Sequence, residues 1–230
     1  MFFDPLYFVM VAPALLLALW AQSRIRSAYG KAMQVPARLS GAAAARHVLD
    51  SAGLQDVGIE MIGGELSDHY DPRHKVLRLS QDVYHGHSMA AVGIAAHEAG
   101  HAIQDAQHYA PLVIRNLAVP VASIGSQFSM TLFAIGMFFA RSGGGQMMAM
   151  AGVALFAGVV AFQLVNLPVE FNASSRAKAQ LVELGVVPAS EMGMVNRVLN
   201  AAALTYVAGT LQAILTLLYM LARLNGQRDR

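Results

Sequence analysis

Four stretches of the chain contain no Asp, Glu, Lys or Arg. They cover residues 5–23, 116–140, 142–169 and 198–222, and the shortest has 19 residues. A bilayer core about 30 Å thick needs about 20 apolar residues in a helix, so each stretch is long enough to cross it. Charged residues make up 13% of the 230 residues, against roughly 25% in soluble domains. The pattern predicts a mainly α, multi-pass membrane protein with about four transmembrane helices in a lipid bilayer.

The composition excludes several kinds of chemistry and partner. There is no cysteine, so the chain has no disulfide, no thiolate metal ligand and no cysteine nucleophile. The net charge is only +2, and the Lys and Arg residues form no block, which argues against a nucleic-acid partner. All eight histidines lie between positions 47 and 108, so we expect the chemistry in that polar part of the chain.

Apolar and polar sections alternate along what we interpret as one membrane domain covering 1–230. A polar section at 24–115 follows the first transmembrane helix, and a shorter section of polar helices lies at 170–200. The transmembrane helices themselves are predicted at 5–22, 116–140, 147–168 and 203–222.

Local signals in the first polar section predict a small α+β unit. Ser40 and Ser88 are suitable N-caps for two helices, of which the second covers 88–108. Residues 57–62 and 75–79 have the composition and alternation of short strands, with a turn-rich segment between them. We therefore expect a sheet of two or three strands beside the second helix.

The second helix carries the sequence His97-Glu98-Ala99-Gly100-His101, which matches the pattern H-E-x-x-H. Helical residues four apart lie on one face, so both imidazoles can reach one Zn²⁺ at about 2.0–2.1 Å. Glu98 lies beside the first ligand and is the candidate general base for a water whose pKa the zinc lowers toward about 7. Gly100 would let another element approach the helix closely.

The alternative is that His97 and His101 are ordinary surface histidines that flank a glutamate. The apolar residues on both sides of the motif argue against it, because they indicate a buried helix. Burying two imidazoles and a carboxylate without a metal would cost several kcal/mol. We therefore favour a metal site, with one catalytic zinc ion.

A catalytic zinc usually has three protein ligands, and the motif supplies two. Glu170 is one candidate for the third, because it directly follows a charge-free stretch, where an ionisable residue is costly and indicates a functional site. Two transmembrane helices separate it from the motif, so both lie on the same side of the membrane. The alternative for Glu170 is a carboxylate favoured by a helix N-terminus. The competing histidines are His69, His74, His85, His87 and His108.

Six stretches spread over nearly the whole chain are more specific than the zinc motif. They are DPLYF at 4–8, SDHYDPRHKVLRLS at 67–80, VGIAAHEAGHAIQ at 92–104, YAPL at 109–112, FQLVNLPVEFNAS at 162–174 and AAALTYVAG at 201–209. Together they resemble the bacterial zinc-dependent membrane neutral metallopeptidases of the YugP type. The resemblance implies a multi-pass membrane zinc peptidase that acts on a peptide or protein substrate, which could itself be a membrane protein.

A wider resemblance bears on the third ligand. The CAAX-prenyl-protease and heat-shock membrane zinc peptidases carry it as the first residue of a Glu-x-x-x-Asp pattern on a later helix. By this resemblance Glu170 is the ligand, and Ser174 stands where that group has Asp. The partner that orients a ligand imidazole would then be Asn172, Ser174 or a backbone carbonyl.

Three further features have both a functional and a structural interpretation. The segment 68–79 could offer an edge strand for an extended substrate, as in peptidases of this kind, or form a plain hairpin. His69 and Tyr70 could bind substrate or serve as turn residues. Tyr206 could donate to the oxyanion or anchor its helix at the membrane interface.

The distribution of positive charge predicts the orientation in the membrane. Section 24–115 holds nine Lys and Arg residues, the N-terminus before the first span has none and the turn at 141–146 has one. The positive-inside rule then places the catalytic side in the cytoplasm, although Arg223, Arg228 and Arg230 at the C-terminus count the other way. The resemblance implies that the membrane is the bacterial cytoplasmic membrane. Two rival functions are a non-catalytic scaffold or binding protein with a structural zinc site and a transporter, although the spans carry no internal charges.

Overall fold

The computed structural model describes residues 4–64 and 66–228. Within these residues the chain forms seven α-helices and three β-strands, with a short 3-10 turn at Ala189–Glu191 before the last helix. The elements follow in the order α1 Pro5–Met33, α2 Gly41–Ser51, β1 Gly58–Ile62, β2 His69–Asp71, β3 Val76–Ser80, α3 Gln81–Tyr84, α4 Met89–Ala106, α5 Ala110–Phe138, α6 Gly143–Glu183 and α7 Gly193–Arg228.

Four helices, α1, α5, α6 and α7, are long and apolar enough to cross a membrane. The predicted fold class, mainly α with about four transmembrane helices and a small sheet, is confirmed. The helices are longer than the predicted spans, and α6 joins the span predicted at 147–168 to the polar helix after it, through Pro168. Proline removes one helical hydrogen bond, but neighbouring groups can satisfy the freed carbonyl in a membrane helix. The last polar helix and the span predicted at 203–222 likewise form one helix, α7.

The chain divides into two compact units. We call the described parts of Met1–Trp20, Val113–Leu167 and Thr205–Arg230 the apolar unit. We call Ala21–Leu112 together with Pro168–Leu204 the polar unit. The H-E-x-x-H motif and Glu170 both belong to the polar unit, although α5 and most of α6 separate them along the chain.

Glycines allow close packing of α5 against α6 in the apolar unit. A β-carbon at Gly152 would lie 2.7 Å from Phe133 N, and one at Gly136 would overlap Ala149 N. The two backbones therefore touch at these positions, as small residues permit in membrane helices. Gly209 on α7 differs, because a β-carbon there would meet no atom within 4 Å.

The core of the polar unit forms around α4. Ser88 Oγ accepts a hydrogen bond from Ala91 N at 3.1 Å, and Ser40 Oγ accepts one from Ala43 N at 3.2 Å at the start of α2, so both predicted N-caps are confirmed. The helix α4 is buried along most of its length, and it packs in one apolar cluster with residues of α2, β3, α6 and α7. The apolar residues on both sides of the H-E-x-x-H motif predicted a buried helix, and α4 is buried.

The sheet has three strands in the order β1-β3-β2, with β1 parallel and β2 antiparallel to the buried central strand β3. The strand β2 is the third strand of the sheet, and it lies in the segment that the sequence marks as turn-rich. Asp71 explains how the strand fits there, because its Oδ1 accepts from the backbone N–H of Arg73 and His74 and confines the turn to the residues after it. Its Oδ2 also pairs with Arg78 on β3.

Candidate metal centre

The helix α4 presents His97 and His101 on one face, as their spacing requires. Their ring centroids are 4.8 Å apart. His101 is buried, whereas His97 keeps a small exposed fraction. Two imidazoles so close on a buried helix can serve as ligands of one ion.

Glycine at position 100 brings α6 against this face of α4. A β-carbon at Gly100 would lie 2.7 Å from the backbone oxygen of Ala173. Because glycine has none, the two helices approach closely and Glu170, one turn before Ala173, reaches the histidines. Glu170 Oε2 lies 3.3 Å from His97 Nε2 and 3.6 Å from His101 Nε2. The close approach expected of Gly100 is present.

The three side chains fit a metal ion. Their ligand atoms all lie within 4.8 Å of one another, and they form the one such group of three found among the described residues. Glu170 Oε2 is buried and has no hydrogen-bond partner within 4–64 and 66–228. Its nearest polar neighbours are the two imidazole nitrogens, at 3.3 and 3.6 Å, and a cation held between the three groups would satisfy the buried carboxylate more fully. Two imidazole nitrogens and a carboxylate oxygen are a ligand set that zinc takes.

The competing ligands lie elsewhere. His69 Nδ1 contacts the backbone oxygen of Ser67, and His74 pairs with Asp71. His85 packs against Tyr84, and neither His87 nor His108 joins the metal-binding group. The alternative explanation for Glu170, a carboxylate stabilised by a helix N-terminus, is wrong. This residue lies well inside α6, far from the N-terminus of that helix.

Each of the two imidazoles has a hydrogen-bond partner on its Nδ1 atom. Ser174 Oγ lies 3.1 Å from His97 Nδ1, and Gln104 Oε1 lies 3.0 Å from His101 Nδ1. Engagement of Nδ1 leaves Nε2 of each ring for a metal. Ser174 was among the partners expected from the sequence, but Gln104 was not. Its position, three residues after His101 on a helix, was the available signal.

Glu98 is buried beside the two histidines. Burial raises the pKa of its carboxyl group, and the nearby His97 and His101 offset part of this effect. Its Oε2 accepts a hydrogen bond of 3.1 Å from the backbone N–H of Tyr70 on β2. A buried carboxyl group beside two imidazoles is a candidate proton acceptor and donor.

The strand β2 is attached to α4 at a second point. Tyr70 OH donates to Asp105 Oδ2 at 2.8 Å, and Lys75 Nζ pairs with the same oxygen at 2.5 Å. The backbone N–H of Tyr70 donates to Glu98 on α4. The edge of β2 with this N–H group therefore faces α4, and the opposite edge pairs with β3. Tyr206 lies on α7 in the apolar unit, so its proposed contact with an oxyanion stays a prediction.

Comparison with known proteins identifies the class. The family model described as "Putative neutral zinc metallopeptidase" matches residues 7–225, and the chain belongs to this family. It is 43% identical over 227 residues to the protein named "Putative membrane protease YugP" of Bacillus subtilis (strain 168), and the match covers 97% of this chain and 99% of that protein. The resemblance inferred from the sequence is confirmed. No solved structure matches the chain.

Proposed function

We propose that the chain is a zinc endopeptidase that hydrolyses peptide bonds of peptide or protein substrates at the membrane. The observation that carries the proposal is the buried Oε2 of Glu170, which has no hydrogen-bond partner in the described residues and faces Nε2 of His97 and His101. Membership of a zinc metallopeptidase family supports the same conclusion.

In this proposal His97, His101 and Glu170 hold one zinc ion. The ion supplies a Lewis acid for the scissile carbonyl and lowers the pKa of a water. Ser174 and Gln104 keep the two imidazoles in place through their Nδ1 atoms. Burial of the carboxylate and of His101 excludes bulk water, which strengthens the electrostatic interactions within the site.

Glu98 moves the proton. Its carboxylate takes a proton from the attacking water and passes it to the nitrogen of the leaving amine, so one group serves as base and then as acid. The Tyr70 N–H bond to Oε2 orients the carboxylate.

The edge of β2 that faces α4 has no place for a substrate strand in this structure, because Tyr70 N–H already donates to Glu98 at 3.1 Å. The strands β2 and β3 form an antiparallel pair, and in this proposal β2 serves to orient Glu98.

The variant Glu98→Gln tests the proposed reaction. Glutamine keeps an oxygen for the Tyr70 N–H but cannot take a proton, so hydrolysis of fluorescently labelled casein in detergent should fall by roughly 10²–10⁴-fold. Zinc content, measured by metal analysis, should stay at the wild-type level. The control is Glu183→Gln at the exposed end of α6, which should keep both. Unchanged hydrolysis in Glu98→Gln would refute the proposed role.

We also propose that the site faces the cytoplasm from the bacterial cytoplasmic membrane, because section 24–115 holds nine Lys and Arg residues. The chain has no cysteine, so a single cysteine can be introduced. Arg73 is exposed in the turn after β2. The variant Arg73→Cys should react with an impermeant thiol reagent only after the cells are permeabilised. Labelling in intact cells would reverse the orientation.

A further inference from the structure

Gln104 connects the proposed metal ligands on two helices. It is fully buried on α4, three residues after His101. Its Oε1 lies 3.0 Å from His101 Nδ1. Its Nε2 donates to the backbone oxygen of Val169, next to Glu170, at 2.9 Å, and to Asn172 Oδ1 at 2.9 Å. One amide therefore contacts a ligand side chain on α4 and the backbone beside the ligand on α6.

The hydrogen bond from Arg176 to Asn172 determines which atoms donate and which accept in this network. A guanidinium group can only donate, and Arg176 Nε donates to Asn172 at 2.7 Å. The atom of Asn172 at that point must therefore be its oxygen. The Gln104 atom that faces this oxygen and the Val169 carbonyl must in turn be the amide nitrogen, whose two hydrogens match the two acceptors.

The same reasoning fixes the tautomer of His101. With its nitrogen turned to α6, Gln104 presents only an oxygen to His101 Nδ1. An oxygen without hydrogen can only accept, so Nδ1 must carry the proton. In the neutral ring the lone pair is then on Nε2, which is the atom that faces Glu170.

We propose that Gln104 is a positioning residue that fixes the Nδ1–H tautomer of His101, and that Asn172 and Arg176 set its orientation. The inference rests on the proposed function, since it assumes that His101 Nε2 binds the metal. Outer partners of this kind are worth 10–100-fold in metal affinity. His97 differs, because the Ser174 hydroxyl can donate or accept and so fixes no tautomer.

The first test is the zinc affinity of Gln104→Met, measured by competition with a chromophoric chelator on the purified full chain in detergent. Methionine has a similar length but cannot form the three hydrogen bonds, so affinity should fall by about 10–100-fold. The matched control is Gln107→Met at the exposed residue that follows the last residue of α4, which should bind zinc like the wild type. Wild-type affinity in Gln104→Met would overturn the proposal.

A second pair of variants separates orientation from folding. Asn172→Asp keeps oxygen acceptors for Gln104 and Arg176, so zinc affinity should stay near the wild-type value. Asn172→Leu removes one of the two acceptors of the Gln104 amide nitrogen and leaves only the Val169 carbonyl. The orientation of the amide is then less firmly held, and zinc affinity should fall by up to about 10-fold. Equal affinities in these two variants would overturn the role of Asn172, even if Gln104→Met fails to fold.

A spectroscopic measurement checks the tautomer directly. In ¹⁵N-histidine NMR of the zinc-free wild type, at a pH at which the ring is neutral, His101 should carry its proton on Nδ1 and not on Nε2. That preference should weaken in Asn172→Leu and be kept in Asn172→Asp, which loosened packing alone would not predict. A deprotonated Nδ1 in the wild type would overturn the proposal.

The proposed function and the proposed role of Gln104 can be refuted separately. If the wild type binds no zinc, then the proposed function fails and the role of Gln104 fails with it. If Glu170→Gln loses zinc while Gln104→Met keeps wild-type affinity, then only the role of Gln104 is overturned.

Discussion

The apolar and polar units use the same device for different purposes. In the apolar unit, Gly136 and Gly152 let α5 and α6 touch through their backbones. In the polar unit, Gly100 lets α4 touch α6 at Ala173. The first contact joins apolar surfaces, whereas histidines and a glutamate lie beside the second. The comparison teaches that close helix approach provides packing where the neighbours are apolar and sets ligand distances where they can bind a metal.

The largest effect should come from Glu170→Gln, which removes the charge without changing the size of the side chain. An amide is a poor zinc ligand, so affinity should fall by more than the roughly 100-fold expected for an outer partner. Equilibrium dialysis followed by metal analysis measures the loss. Glu183→Gln on the same helix is the control, and a wild-type zinc content in Glu170→Gln would pass the ligand role to another residue.

A smaller but still large effect is expected from Gly100→Ala. The added methyl group would lie 2.7 Å from Ala173 O, so α4 and α6 must separate. Overpacking of this kind costs about 1–3 kcal/mol of stability, and zinc affinity should fall with it because the ligand distances change. Thermal unfolding and zinc competition measure the two effects. Gly193→Ala, where a β-carbon meets no atom within 4 Å, should leave both unchanged.

The comparison is sharpened by Gly136→Ala, the same substitution in the apolar unit. A β-carbon there would overlap Ala149 N, so the stability should again fall by about 1–3 kcal/mol. Zinc affinity should stay at the wild-type value, because no proposed ligand lies in this unit. Gly209→Ala has open space and should not destabilise the protein. Loss of zinc in Gly136→Ala would contradict the division between packing and ligand placement.

The local sequence could predict most of the site because its main constraints are periodic. The spacing of His97 and His101 places them on one helical face, and the even number of spans returns Glu170 to the same side of the membrane. The caps at Ser40 and Ser88 are also local, because each hydroxyl bonds an amide three residues on. These features need no knowledge of the distant packing.

The remaining features depend on contacts between distant parts of the chain. The strand β2 has only three residues, His69–Asp71, and it forms by pairing with β3. The helix α6 continues through Pro168, which local rules treat as a probable end. Gln104 looks like an ordinary helix residue until Val169 and Asn172 are placed beside it.

Gly100 also changes how much information the zinc motif carries. In H-E-x-x-H the two middle positions are written as free, yet here Ala99 is fully buried and Gly100 has no room for a β-carbon. For this fold the pattern therefore requires a small residue followed by glycine. A library that randomises both positions should return few functional sequences at 100, and a search for proteins built in this way gains specificity by asking for H-E-x-G-H.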